Sequence, residues 1–346
     1  MRGREGWEGV DRTLADEFEE LGAPALTRRP PGGTKVTIAL GFLALIFLAW
    51  AAQPVLDLDT NRFGAALVAL TQYAVPMGAV LALAALLLRR WLTTLVVVVA
   101  TLALAATVVP RAIPDAPTPV RGAPLRVLSV NTYFGGADAE RIVDLVRDNR
   151  VDVLSLQELT PEMVTALDRA GLGRQLPHRV FDAVSGAEGS GLASRYPLRE
   201  LSLVPPTTMH QSSALVDMPG GREVEIVATH PIIPVGSGTT VTWRKEISAL
   251  PAPAKAGDTP RVLAGDFNAT LDHTPMRELL GRGYLDAAEV TGGGIAPTWP
   301  VRRALKSPPV TIDHVLVSGG IVAQDYRTFE VGGADHRAVL AHLAVP

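Results

Sequence analysis

The chain has 346 residues, of which 47% are hydrophobic and only 19% charged, and its mean hydropathy is +0.22. This excludes a wholly disordered chain, which needs low hydrophobicity and high charge, and the length suggests two structural units. The balance of 32 Lys+Arg against 35 Asp+Glu argues against a polybasic nucleic-acid binder, and the lack of cysteine excludes disulfides, thiolate zinc sites and cysteine nucleophiles in either redox compartment.

Residues 1–34 open the chain with Glu5, Glu8, Asp11, Asp16, Glu17, Glu19 and Glu20, then Arg28-Arg29-Pro30-Pro31-Gly32-Gly33. They read as a solvated, disordered tail with at most a short helix over Asp11–Leu21. Residues 35–110 contain three uncharged stretches: 21 residues between Lys35 and Asp57, 26 between Arg62 and Arg89, and 20 between Arg90 and Arg111. A helix crossing the hydrocarbon layer needs about 20 apolar residues, so three transmembrane helices are expected. Ala49-Trp50-Ala51 has the small-x-small form of a cleavage site, but the preceding residues are too many and too acidic for a signal peptide. The expectation is a retained anchor. Arg28, Arg29, Lys35, Arg89 and Arg90 outweigh Arg62, Arg111 and Arg121, which places the N-terminus in the cytoplasm and the C-terminal part outside the cell membrane. Residues 111–123, with Pro114, Pro117 and Pro119, are expected to be a stiff linker holding residues 124–346 off the membrane.

From Leu125 the pattern changes. Leu125–Asn131 alternates like a half-buried strand, and Ile142, Val143, Leu145 and Val146 then fall at helical spacing. Val151–Glu158 reads as a second strand, followed by a helix capped by Thr160 with Pro161 at its first position. Further strands are expected at Gly191–Ser194, Ala214–Met218, Val224–Thr229, Arg261–Ala264, Val310–Val317 and Ala338–Leu343, with another helix from Thr274-Pro275. Many strands with few helices between them predict an α+β sandwich. Six strand termini carry chemistry-bearing residues: Asn131, Glu158, His230, Asp266 with Asn268, Asp313, and Asp335-His336. His314 points to the opposite face from Asp313 by strand alternation and is assigned to structure. Arg195 and Trp243 are open between packing and substrate contact. Gly189-Ser190-Gly191 lacks the Gly-x-Ser-x-Gly elbow, and no His-Glu-x-x-His zinc helix occurs.

Ser129-Val130-Asn131, Leu156-Gln157-Glu158, Ala193-Ser194-Arg195-Tyr196-Pro197-Leu198, Gly265-Asp266-Phe267-Asn268-Ala269, Ile312-Asp313-His314-Val315-Leu316-Val317 and Asp335-His336 follow one another in this order. In this the chain resembles the endonuclease/exonuclease/phosphatase superfamily over Leu125 to Val345. The resemblance implies a DNase I-like four-layer α/β/β/α sandwich, here preceded by three transmembrane helices. It also implies a Mg²⁺ (or Mn²⁺) ion held by Glu158 with Asn131 and Asp335, and hydrolysis of a phosphoester by an activated water. Asp266 would orient and deprotonate that water, and Asn268 would donate to the phosphoryl group. His336, its tautomer fixed by Asp313, would contact the phosphate or act as base, and His230 would be the acid for the leaving group. An oxygen-only ligand set suits a hard ion such as Mg²⁺.

From Pro124 onward, 21 Lys+Arg stand against 25 Asp+Glu, and the largest basic cluster is Arg302-Arg303-Lys306. A nuclease is expected to carry a basic stripe, so nucleic acid is the less favoured substrate. A three-helix anchor in the lipid bilayer favours a membrane lipid or lipid-carrier phosphate or pyrophosphate. The layout is similar to membrane-anchored bacterial members of the VanJ-like kind. The alternatives are an extracytoplasmic endo/exonuclease and a non-catalytic, membrane-held binding module.

Overall fold

The computed structural model describes residues 33–53, 56–116, 122–236, 238–301 and 309–346. The expected acidic tail, except Gly33 and Thr34, lies outside the described residues, as do Pro117 and Pro119 of the linker and the cluster Arg302-Arg303-Lys306.

Four helices come first: α1 (Thr34–Ala51), α2 (Arg62–Ala69), α3 (Thr71–Leu87) and α4 (Trp91–Val108). α1 and the last helix, counted through Ala112, are long and apolar enough to cross a membrane. The stretch expected to be one helix between Arg62 and Arg89 is instead two, bent by 70° at Leu70. Local bonds explain the break. Asn61 caps α2 by accepting from the Phe63 and Gly64 amides, and the Thr71 hydroxyl donates to Val68 O at 2.6 Å. Gly64 lets the preceding loop cross α2 closely: a Cβ there would lie 1.7 Å from Leu58 O. α1, α3 and α4 pack through Ala44, Phe47, Trp50, Ala74, Val97 and Leu104. Gly78 admits the Phe47 ring, a close approach of the kind small residues allow between apolar helices. Ile38, Phe42, Leu45, Val80, Leu92 and Leu102 point outward and are exposed.

The rest is an α+β fold of two six-stranded sheets. In order along the chain it comprises β1 (Ala123–Asn131), α5 (Ala139–Asp148), β2 (Val153–Gln157), α6 (Pro161–Ala170), α7 (Leu172–Gln175), β3 (His178–Asp182), β4 (Ser190–Ser194), β5 (Leu198–Leu201), β6 (Ser213–Met218), β7 (Arg222–Thr229), α8 (Thr239–Ser248), β8 (Arg261–Asp266), α9 (Thr274–Gly281), β9 (Leu285–Asp286), α10 (Ala287–Val290), β10 (Asp313–Val317), β11 (Val322–Glu330) and β12 (Arg337–Val345). The sheets run β11-β12-β1-β2-β4-β3 and β5-β6-β7-β8-β10-β9. Each has a parallel pair at its centre, β1 with β2 and β7 with β8, and its other pairs are antiparallel.

Alternate side chains set the layers. Val127, Val153, Val216, Ile226, Val262, Val315 and Val339 fill the space between the sheets. Leu128, Leu154 and Leu340 face the other way, onto Ile142, Val146, Met163 and Leu167 of α5 and α6. Val227, Leu263 and Leu316 meet Trp243, Ile247 and Met276 of α8 and α9. The result is the helix–sheet–sheet–helix stack. Burying each large apolar side chain contributes about 1.5–3 kcal/mol. Ser155 Oγ, at 2.8 Å from Ala264 O, ties one sheet to the other under the strand ends. Val310 forms only an isolated bridge to Trp299, so β10 starts at Asp313, later than the sequence pattern suggests.

The linker is not the expected spacer, because its start is docked on the sandwich. Val109–Ala112 is a 3₁₀ turn, and Arg111 makes a bidentate pair with Asp272 at 3.0 Å. Asp115 N donates to Val290 O. The helical part is held to the sandwich at a second seam. Asp59, fully buried, accepts from Thr274 N at 2.7 Å and pairs with Arg244, which also clasps Asp57 with both terminal nitrogens. His273 donates from Nε2 to Ala65 O of α2 at 3.0 Å, while its Nδ1 accepts from Thr270 N. Tyr73 and Gln72 of α3 donate to Pro309 O.

Removing Arg244 leaves the buried Asp59 carboxylate without its cation, a loss of about 2–3 kcal/mol. Arg244→Met should lower the melting midpoint in detergent and speed hydrogen exchange at the Thr274 amide. Unchanged protection there would show that the seam is not held by this ion pair.

Candidate active site

Two central parallel pairs direct the carboxyl ends of β1, β2, β7 and β8 to the same edge of the sandwich. There they place Asn131, Glu158, His230 and Asp266. β10, antiparallel to β8, starts at that edge with Asp313 directly opposite Asp266, and β12 starts there after Asp335 and His336. All eight sequence-predicted residues therefore meet at one end of the fold; six are more than nine-tenths buried, and Glu158 and Asn268 are half-buried at the rim.

The Asp266 carboxylate is the hub. Its Oδ2 accepts from Asn131 Nδ2 at 3.1 Å and lies 3.6 Å from His336 Nε2 and 3.9 Å from His230 Nε2. Its Oδ1 accepts from Asn268 N at 2.8 Å. The Asn268 side chain is in turn held by Pro231 O at 3.1 Å. Asn131 Nδ2 also donates to Glu158 Oε1 at 3.1 Å, so one amide bridges the two carboxylates, while Asn131 Oδ1 accepts from Tyr133 N. Glu158 Oε2 accepts from Phe134 N at 2.7 Å. His336 Nδ1 donates to Asp313 Oδ2 at 2.9 Å, which leaves Nε2 facing Asp266.

The backbone is constrained at the same places. Tyr133, Phe134, Glu158 and Asn268 all have φ between 50° and 55°, a region that non-glycine residues rarely adopt. Thr132 Oγ1, which bonds Gln157 O and Glu158 O, fixes the turn that carries Glu158. Local strain of this kind concentrates at functional sites.

The electrostatics follow from burial. Desolvation would push the His336 pKa down, but Asp313 and then Asp266 more than offset it and raise it to about 10, so the ring is an imidazolium at neutral pH. Burial, reinforced by Asp313, raises the Asp266 pKa against the pull of His336. Burial raises Glu158 as well, against the Asn131 and Phe134 hydrogen bonds. His230 goes the other way: burial and then the nearby His336 charge lower it to about 4, so it is neutral.

Two observations fit this donor set to a cation. Asp266, Asp313 and His336 have ligand atoms within 4.8 Å of one another, and Glu158 and Asp335 add carboxylates around the same cavity. Asp335 Oδ1 is buried without a hydrogen-bond partner, although Oδ2 accepts from Trp299 Nε1 at 3.2 Å. Within the cluster, Asp313 is already engaged by His336, so Glu158 and Asp335 are the freer oxygen donors. Asn131 Oδ1 already accepts from the Tyr133 amide and keeps one lone pair to offer.

The cavity has a volume of about 370 Å³ and is lined by Glu158, His230, Asp266, Asn268, Asp335 and His336 with many apolar side chains; among the described residues no lysine or arginine lines it. Sequence reasoning missed Trp299, Phe134 and the α2 wall formed by Ala65, Ala66 and Ala69. None of these carries a polar motif at a strand end. His314 turns away as expected, with Nδ1 on Asp286 at 2.5 Å and Nε2 on Ala269 O. Trp243 is core, donating to Phe267 O, and Arg195 pairs with Asp152.

A family model described as the Endonuclease/Exonuclease/phosphatase family matches residues 128–336, more than half of the chain, and the chain belongs to that family. Its members are phosphoester hydrolases that use a divalent metal. Among solved structures, a humanized TDP2 from D. rerio with 14 mutations is similar in fold: TM-score 0.50, 17% identity, 64% of this chain and 99% of that one covered. An AP endonuclease from Archaeoglobus fulgidus gives 0.50 and 14%, covering 63% and 98%. An endonuclease/exonuclease/phosphatase from Beutenbergia cavernae DSM 12333 gives 0.48 and 20%, covering 65% and 72%. Comparison with curated proteins gives no match.

Because His230 is neutral in the fold, the unfolded chain takes up the proton first as pH falls. Its contribution to stability is complete above pH 6.5 and is lost as pH drops toward 4, by up to roughly 3 kcal/mol. The melting midpoint of the metal-free chain should fall across that window, and His230→Gln should flatten the fall. Identical pH profiles for the two proteins would contradict a buried neutral His230.

Proposed function

We propose that the protein is a membrane-anchored, divalent-metal-dependent phosphoesterase that hydrolyses a phosphate ester or pyrophosphate of a membrane lipid or lipid carrier outside the cytoplasm. The observation that carries this reading is the position of the site. The cavity holding Asp266 and His336 is walled on one side by α2, which leads directly into the apolar helix α3.

A phosphoester resists attack because its own charge repels the nucleophile, so catalysis rests on charge neutralisation and in-line positioning. Glu158, with Asp335 and Asn131, would hold a Mg²⁺ or Mn²⁺ ion, which when bound would supply Lewis-acid polarisation of the phosphoryl group. Asp266 Oδ2 orients a water and takes its proton as the water oxygen bonds to phosphorus. Its raised pKa places it near neutrality, where a general base is effective. His336 is committed as an imidazolium by Asp313, so it donates from Nε2 to an equatorial phosphoryl oxygen and is not the base. The Asn268 Nδ2 donates alongside it. His230 is neutral, and its role is a hydrogen bond to the leaving oxygen as the P–O bond breaks. We read the layout of helices and domain as that of a VanJ-like, membrane-held member of the family.

Two alternatives meet specific obstacles. A nuclease has to neutralise successive phosphates, and among the described residues no lysine or arginine lines this cavity. A binding module that had lost turnover would lack part of the set, and all eight residues are present and mutually oriented.

The full chain in liposomes should release phosphate from a polyprenyl pyrophosphate, stop on addition of EDTA, and leave plasmid DNA intact. Asp266→Asn should reduce kcat by about 10³-fold. Rapid nicking of DNA with no turnover of lipid would overturn the lipid reading.

A further inference from the structure

Four of the six large hydrophobic side chains exposed among the described residues of the sandwich gather at one place. Phe134, Ile233 and Val235 are exposed at 57%, 41% and 52% and all line the catalytic cavity. Val241, at 54%, borders the neighbouring hollow together with Arg62 and Phe63 of α2. α2 itself buries Ala65 and Val68 against the sandwich and leaves Phe63 exposed at 73%. The bend at Leu70 turns α2 away from the direction of α3, as in a helix lying along a membrane surface. An apolar patch of this size beside polar chemistry marks an interaction site.

Resting on the lipid reading above, we propose that α2 and the loop 231–235 form the two walls of an apolar subsite for the chain of the lipid whose phosphate sits at Asp266 and His336. The helix end of the anchor is thus part of the active site and selects substrates by their hydrocarbon chain. The chemistry of the walls is graded for such a ligand. Asp266, His336 and Asn268 hold the polar end, and Ala66, Ala69 and Leu70 on one side face Ile233, Pro234 and Val235 on the other. The small side chains of α2 leave room for a slender chain between helix and loop. The exposed rim of Phe134, Val241 and Phe63 continues the apolar surface outward to where the anchor enters the bilayer. A substrate therefore reaches the site from the membrane without its chain crossing water. The seam of Asp57, Asp59 and Arg244, with His273 on Ala65 O, holds the wall in register with the catalytic groups.

The test compares a short, water-soluble prenyl pyrophosphate with its long-chain, membrane-resident homologue on the full chain in nanodiscs. Wild type should favour the long chain. Ala66 is exposed, so Ala66→Trp fills the subsite without disturbing the core, and its melting midpoint should match wild type. It should lower the long-to-short ratio of kcat/KM by about tenfold, as expected when about two methylenes lose their buried contact. Val235→Glu, on the opposite wall, should act in the same direction. If wild type hydrolyses the lipid but both variants keep the wild-type ratio, the subsite is wrong and the lipid phosphoesterase stands. If wild type hydrolyses neither pyrophosphate and cleaves DNA, the lipid reading fails, and the subsite with it.

Discussion

Four carboxylates share one small end of the sandwich with a single imidazolium. Glu158, Asp266, Asp313 and Asp335 arrive there because strand direction leaves them no other place: the two parallel pairs end at the same edge, and β10 and β12 begin at it. Like charges this close destabilise one another, and burial strengthens the effect. The protein answers with local donors. Asn131 bridges two carboxylates, the Phe134 and Asn268 amides cap their outer oxygens, and His336 is held protonated by Asp313. On the proposed reading, a divalent cation offsets the remaining negative charge. The strained backbone at Glu158 and Asn268 belongs to the same arrangement, since those φ values aim side chain and amide into one cavity.

The N-terminal helices and the sandwich are coupled rather than merely joined. Asp59 and Ala65 O reach into the catalytic half, Arg244 and His273 reach out of it, and Arg111 closes the far side on Asp272. The sandwich cut free at Leu125 would keep its polar residues and lose one wall of its cavity. The N-terminal helices therefore shape the site.

Much of this was legible in the sequence, for an identifiable reason. Strand ends at a catalytic edge carry polar residues with short-range signatures, such as Gly265-Asp266-Phe267-Asn268 or Asp335-His336, and the alternation of Leu125–Asn131 exposes its two faces directly. The Thr160-Pro161 cap likewise announces α6. What stayed hidden depends on contacts between distant segments. No charge or proline marks the bend at Leu70, which rests on the Thr71 hydroxyl and the Asn61 cap. β11 reads as polar because Val322–Glu330 is only half-buried at a sheet edge. α8 follows Gly238 with no side-chain cap. The docked linker depends on Asp272, far along the chain from Arg111. Ala65, Ala66 and Ala69 look like any apolar helix until the sandwich is folded against them.

The convergence of acid, amide and imidazole on one cation is tested most directly by anomalous scattering from crystals of the full chain grown with Mn²⁺. The account predicts one strong peak in the cavity, in contact with the Glu158 carboxylate and on the Asp266 side, and its loss in Glu158→Gln. A peak that persists unchanged in that variant, or an ion bound away from Glu158 and Asp266, would contradict it.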